Sequence, residues 1–422
     1  MTATRAGSKR LLRDLNRSIV LNLISARGPL SRSDLARRSG LPAATITRIT
    51  GDFVAAGLVA EVASKESSGG RRPIMLSINP TVGHVVGLKL REDGMTVAVC
   101  DLACTIIHSC EVPLSPGAPP FQAVEAIAIA VDRCIEEAEI ARWSVLGVGV
   151  GLSGLIDSAR GVCRYSAILD WRDVELGPAL EFKLRMLVRV DNDVNTLAVA
   201  ERHFGLGREI PDFALVTVGR GIGLGLMLGG EIYRGASGGA GEFGHMTVDT
   251  GADAPLCNCG KRGCLEAVAS DYGILRAALG ADPGHQVETA MSGLLERARA
   301  GDPTIGAIFA RAGAALGVAV ANLINLVDPA LVLIGGEGLR AGALIEDPMR
   351  AAMPLHIFGR RGDSFVAERV LTLRATSDLA WARGAASLVL REVFRPPIYE
   401  TGEDLVIDTL LASEPSRRRR RG

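Results

Sequence analysis

The sequence predicts an α/β protein with an N-terminal winged helix-turn-helix, a large body of two similar α/β lobes, and a short basic tail. Three observations carry this. The first eighty residues show helical periodicity and then two short apolar runs around a Gly/Arg tip. From Gly83 strands alternate with helices. A series of three strands followed by further α/β elements occurs twice, once after Gly83 and again after Pro211. The expected domains are 1–80 for the winged helix, 81–400 for the two-lobed body and 401–422 for a disordered tail.

In the first domain, Ile19, Val20, Leu23 and Ile24 form a helical stripe over residues 16–26, ended by Gly28-Pro29. Ser31 suits the N-cap of a second helix, with Asp34 at the position where an acid favours a helix start and Gly40 as the stop. A third helix begins near Pro42 and turns Ile46, Ile49, Phe53 and Val54 to a core. Its other face offers Ala43, Ala44, Thr45, Thr47 and Arg48, small and polar residues that enter a major groove without collision. Apolar runs at 58–62 and 74–78 bracket the tip Gly69-Gly70-Arg71-Arg72-Pro73, where Arg71 and Arg72 can lie along a narrow minor groove. Helix, helix-turn-helix and basic hairpin together predict a double-stranded DNA operator as partner.

Charge supports this division. Residues 1–80 hold 13 Lys/Arg against 5 Asp/Glu, a balance of +8, within a chain of zero net charge. A basic head on an acidic body suits a polyanion-binding domain carried by a body that need not bind polyanions. Hydrophobic residues at 48% with 22% charged exclude a disordered chain. No run of roughly 18 apolar residues and no signal-type N-terminus is evident, so a cytoplasmic protein without membrane contact is expected. In that reducing setting Cys257-x-Cys259-x4-Cys264 reads as a metal site rather than a disulfide framework.

In the body, strands are expected at 85–90, 96–101 and 105–112, a helix at 121–141 and a buried strand at 145–151. The second series predicts strands at 213–218, 221–228 and 231–233. A long helix at 304–326 follows, then a strand at 331–334 and the turn Gly335-Gly336. A duplicated two-lobed fold with ligands at strand ends follows from this order.

Three motifs then carry a family resemblance: Asp191-Asn192-Asp193-Val194-Asn195, Gly241-Glu242-Phe243-Gly244-His245, and Cys257-Asn258-Cys259-Gly260-Lys261-Arg262-Gly263-Cys264-Leu265-Glu266. With the winged helix included, the chain resembles the ROK family (repressors, open reading frames and kinases) over nearly its whole length. The resemblance implies an actin-like two-lobed ATPase fold and a sugar-responsive repressor that works as a homodimer or homotetramer. His245, Cys257, Cys259 and Cys264 form a Cys3His set that suits a structural, tetrahedral Zn²⁺ with no open position. A sugar needs carboxylates, amides and imidazole to meet its hydroxyls. Asn192, Asp193, Glu242, His245 and Glu266 supply these, and by resemblance they line the sugar site, with Gly154 approaching through its backbone. The resemblance lets His245 ligate metal through one nitrogen and face the sugar through the other.

Kinase members of this family carry an Asp-x-Gly-x-Thr-like hairpin for ATP phosphates. Here Lys89 stands for the aspartate, Arg91 for a glycine, and Glu92 and Asp93 for small residues, while Arg220 replaces threonine in Gly219-Arg220-Gly221-Ile222-Gly223. Asp193 keeps the position of the family's catalytic base. The expectation is therefore a sensor without phosphotransfer whose lobes close on the sugar. Two readings stay open: a sugar kinase with a DNA-binding appendage, and a regulator that answers to a protein.

Overall fold

The apolar stripe near the N-terminus lies in α1 (Lys9–Arg27), where Val20, Leu21 and Ile24 are buried and Ile19 and Leu23 half-buried. Ser31 caps α2 (Arg32–Ser39) in a reciprocal box with Asp34, and Gly40 ends that helix in a left-handed conformation. Pro42 is the non-helical cap of α3 (Ala43–Ala55), which buries Ile46, Ile49 and Phe53 and leaves Val54 half-buried. Strands β2 (Val59–Ala63) and β3 (Ile74–Ile78) pair antiparallel as the wing. A short β1 (Leu30–Ser31), absent from the sequence expectation, adds to β3 and closes the sheet. Leu30, Leu35, Leu58 and Leu76 complete this small core.

The computed structural model describes residues 9–63, 73–281, 287–359, 369–372 and 378–394. The expected wing tip, with Arg71 and Arg72, and the tail at 401–422 lie outside the described residues. The chain divides into two compact units. The first is Met1–Val150, Leu176–Val190 and Ala385–Gly422; the second is Gly151–Glu175 and Asp191–Gly384.

Beyond the winged helix, the first unit holds a five-stranded sheet. Antiparallel β4 (His84–Leu90), β5 (Gly94–Asp101) and β6 (Ile106–Pro113) are followed by β7 (Val145–Leu152) and β11 (Leu187–Asn192), in the order β11-β7-β4-β5-β6. Helix α4 (Pro120–Glu137) packs Val124, Ile127 and Val131 inward. It stops short of the expected residue 141 because Glu139 takes a left-handed φ of 55° and residues 142–144 form a separate turn. Helix α5 (Leu176–Leu184) packs against α4 and is tied to it by the Lys183–Glu125 ion pair.

The second unit repeats the scheme. Strands β12 (Phe213–Val218), β13 (Ile222–Leu228) and β14 (Glu231–Ile232) run antiparallel, and β15 (Leu331–Gly335) and β16 (Val370–Thr372) add in parallel, in the order β14-β13-β12-β15-β16. Counted within each series, both sheets read third-second-first-fourth-fifth, the signature of the duplication. A three-stranded antiparallel sheet of β8 (Leu155–Asp157), β9 (Val162–Ser166) and β10 (Trp171–Val174) was not foreseen, since its strands are short. Helices α6 (Asp193–Phe204), α7 (Leu265–Ala269), α8 (Asp271–Leu279) and α9 (Val287–Arg299) follow, then α10 (Pro303–Val327), α11 (Ala343–His356) and α12 (Asp378–Phe394).

Helix α10 corrects the expectation that nothing in the chain is apolar enough to cross a membrane. At 25 residues and a mean hydropathy of 1.8 in its best window it passes that test by composition. Its apolarity has another cause. Phe309, Leu316, Val320 and Leu323 are buried in the core of the second unit. Gly313 and Gly317 let α11 approach so closely that any Cβ there would overlap the carbonyl oxygens of Ile345 and Met349.

Candidate functional site

On the winged helix, α3 presents Ala43, Ala44, Thr47 and Arg48 to solvent, whereas Thr45 is half-buried. The Thr47 hydroxyl donates to the Ala43 carbonyl at 2.9 Å, so a base contact there would have to share it. The scaffold behind the helix is fixed by polar ties. Arg17 pairs with Asp52 at 3.1 Å, and Arg32 reaches both Thr50 and Glu61 at 3.0 and 2.7 Å. Such ties hold the exposed face of α3 in register with its sheet.

In the second unit, β11 delivers Asp191 and Asn192 directly into α6. The helix cap is Asn192, whose Oδ1 accepts from Val194 N at 2.9 Å. Asp193 is the first helical residue, buried, with its carboxylate at the positive end of the α6 dipole. Asn192 Nδ2 also donates to Gly154 O at 3.0 Å, which joins two expected sugar residues through one hydrogen bond. Gly154 sits at φ 133°, and a Cβ there would overlap the Tyr165 carbonyl, so only glycine fits this approach. Beneath them Asp191 is buried and receives Arg234 Nε at 2.9 Å and Asn195 Nδ2 at 3.0 Å. Neither Arg234 nor its partnership was anticipated, because a lone arginine 43 positions from its acid leaves no sequence signal.

Glu242 lies 3.8 Å from His245 Nε2. Burial pushes the Glu242 carboxyl above its ordinary range, His245 pulls it down, and the Glu266 and Asp193 carboxylates push it up again. Three carboxylates are thus close enough to feel one another. The structure brings Gly154 and Asn192 together, and likewise Glu242, His245 and Glu266.

The other face of His245 belongs to the cysteine loop. Nδ1 is 3.6 Å from Cys257 Sγ, and Cys259 Sγ is 3.7 Å from Cys264 Sγ. One ligand atom from each of the four residues lies within 4.8 Å of every other. A tetrahedral site with metal–sulfur bonds of about 2.3 Å has ligand-to-ligand edges of roughly 3.7 Å, so the donor set fits a metal. Burial pushes the Cys257 thiol up to about 12, which means that its thiolate needs a cation close by. Backbone bonds shape the loop: Cys257 N to Lys261 O at 2.8 Å, Gly263 N to Pro255 O at 2.8 Å and Val248 N to Gly263 O at 2.8 Å. Glu266, at the start of α7, stands 3.8 Å from Cys257 Sγ, so cysteine loop and carboxylate are positioned together.

At the first hairpin, Arg91 turns back onto its own sheet and donates to Thr96 Oγ1 at 2.8 Å and Glu111 at 3.0 Å, with Asp93 at 3.4 Å. The turn Gly219–Gly223 of the second unit is occupied too. Ile222 N donates to Glu266 at 3.1 Å and Arg220 N to Glu337 at 3.4 Å. Glu337 was overlooked although the preceding Gly335-Gly336 turn was legible.

The ROK family matches residues 85–392, and the MarR family matches residues 14–72. A putative xylose repressor of Caldicellulosiruptor sp. (strain Rt8B.4) is 30% identical over 362 residues, spanning 82% of this chain and 88% of its own. A crystal structure of a ROK family transcriptional regulator, a homolog of the E. coli MLC protein, has a TM-score of 0.77 at 23% identity. It covers 95% of this chain and 99% of its own, and it supports the fold from winged helix to body. A ROK family glucokinase from Streptomyces griseus, solved with glucose and AMPPNP, is 29% identical with a TM-score of 0.60, over 72% of this chain and 99% of its own. The chain is a member of the ROK family that carries a MarR-type winged helix ahead of its kinase-like body.

Proposed function

We propose that the protein is a cytoplasmic, sugar-responsive transcriptional repressor. Its winged helix binds operator DNA, and its second unit binds a sugar or sugar derivative without phosphorylating it. The observation that carries this reading is a complete hydroxyl-binding set on a chain whose phosphate-binding turns are filled by its own side chains. Asn192, Asp193, Glu242, His245 and Glu266 offer the amide, carboxylate and imidazole groups that sugar hydroxyls require. Asp193 holds the position of a catalytic base and serves here as a sugar ligand. At the first hairpin, the Arg91–Thr96–Glu111 network replaces the open backbone that a nucleotide phosphate needs. The repressor and glucokinase likenesses support the two halves of the reading separately, DNA control from one and sugar recognition from the other.

Zn²⁺ fits the Cys3His set, held by His245, Cys257, Cys259 and Cys264. With four protein ligands its role is to order the loop that carries His245 and Glu266. The sugar acts through different affinities for two states of the protein, and a homodimer presents two winged helices to two half-sites. A coupling of about 1–3 kcal/mol changes operator affinity roughly 5–150-fold.

Calorimetry of the zinc-loaded full chain against hexoses, pentoses, N-acetyl sugars and their phosphates, with ATP alongside, tests this directly. The expected result is saturable binding of one sugar class, lost in Asp193→Ala, with no ATP turnover. Turnover of ATP would restore the kinase reading, and silence across the panel would point to a protein effector.

A further inference from the structure

We propose that Glu337 is a built-in plug of the nucleotide-phosphate seat, a specificity-determining side chain that keeps polyphosphates out of the second unit. The inference rests on the reading of a kinase-derived body that no longer phosphorylates, and it assigns the exclusion to one residue. It starts from strand topology. Strands β12 and β15 are parallel neighbours, with Thr217 opposite Gly335, so the turns that follow them emerge side by side at the same sheet edge. That edge is where open α/β sheets bind ligands, on glycine-rich turns whose N–H groups form an anion nest.

The turn after β15 is folded over the turn after β12. Gly336, at φ 101°, and Gly338 both press on Val218; a Cβ on Gly338 would lie 2.9 Å from the Val218 carbonyl oxygen, and one on Gly336 would overlap it. Glu337 is carried between them. Its carboxylate rests on Gly219 so closely that a Cβ there would overlap it, and Arg220 N donates to its Oε1 at 3.4 Å. A second donor of the turn, Ile222 N, is taken by Glu266 at 3.1 Å. Two carboxylates therefore already take backbone donors of this turn that a phosphate would need.

The plug is anchored. Arg340 Nη1 donates to the Glu337 carbonyl at 2.7 Å, and Nη2 reaches Asp271 at 2.8 Å and Glu288 at 3.4 Å. Asp271 N in turn donates to Gly219 O at 2.8 Å, which closes the circuit back to the turn. Arg340 thus ties the Glu337 backbone to the Asp271 and Glu288 carboxylates, while the Glu337 carboxylate itself puts a negative charge on the turn where a phosphate would have to enter. Like charges at such separation oppose entry strongly, whereas a neutral sugar feels no such barrier.

Pyrophosphate is the probe, since it needs the turn but neither an adenosine site nor the hairpin of the first unit. Calorimetry on the full chain should show weak or no binding. Glu337→Gly should tighten pyrophosphate binding by about tenfold or more, and Glu337→Gln, which keeps the bulk and loses the charge, should fall between. Sugar affinity serves as the check that each variant is folded. Unchanged pyrophosphate affinity in both variants with intact sugar binding would overturn the plug and leave the sensor reading standing. ATP turnover by the unsubstituted chain would instead sink the sensor reading itself, whatever the variants bind.

Discussion

Asp191 is 1% exposed, yet nothing about it is catalytic in the proposed function; its carboxylate orders the chain at the point where β11 becomes α6. It accepts from Arg234, Asn195 and the Asn192 backbone, so Asn192 and Asp193, the residues proposed to meet the sugar, inherit their positions from a buried ion pair. Removing one partner of such a pair strands a charge, which costs more than the intact pair contributes. Arg234→Ala should therefore destabilise the protein by about 3–5 kcal/mol in urea unfolding and weaken sugar binding through Asn192. A loss below about 1 kcal/mol would mean that water readily takes the place of the guanidinium. Asn192, Asp193, Glu242 and Glu266 could be singled out in the sequence because each sits in a short local motif. Arg234 and Glu337 could not, because their partners are distant along the chain and only the fold brings them together.

Among elements, the cysteine loop has the most to reveal. It connects a short turn at Phe243–His245 to α7 through turn-type backbone bonds rather than a helix or strand of its own. In the proposed function a bound metal adds to that order, and the loop leads into Glu266 on the glycine turn. Stripping the metal with a strong chelator should lower the melting temperature and weaken sugar binding, with zinc recovered in the chelate fraction. Full sugar affinity in metal-free protein would separate the loop from the site. The elements also show where reading a sequence succeeds. Helices α2 and α3 and the wing strands were placed to within a residue or two, since caps and apolar spacing are local signals. Strands β8, β9 and β10 and the pairing of β1 with β3 escaped, because these short strands neither bracket a Gly/Arg tip, as the wing strands do, nor belong to the repeated series, as β14 does.

At the scale of the whole molecule, charge separates the two tasks. The head carries +8 over residues 1–80, so binding to double-stranded DNA should fall steeply with salt. Using DNA selected from a random pool, Arg48→Ala should weaken binding, and the slope of log affinity on log salt should drop by about one if Arg48 holds a phosphate. Unchanged affinity would place α3 away from the groove. The duplicated sheet order, third-second-first-fourth-fifth in each unit, was foreseeable as a repeat, but which segments complete which unit was not. The first unit is assembled from three stretches of chain, and its last piece is the C-terminal part of α12. There the Ala385 backbone packs so tightly on Gly149 of β7 that no side chain would fit, and Val389 lies against Gly147. For a chain made from its N-terminus, this ordering has a temporal consequence. The winged helix leaves the ribosome early and can fold, while the sheet behind it waits with an open face until the segment from Ala385 has been made. A nascent or prematurely terminated product would thus own a finished DNA-binding head on an unfinished body, a species for cellular quality control to remove before it competes for operators.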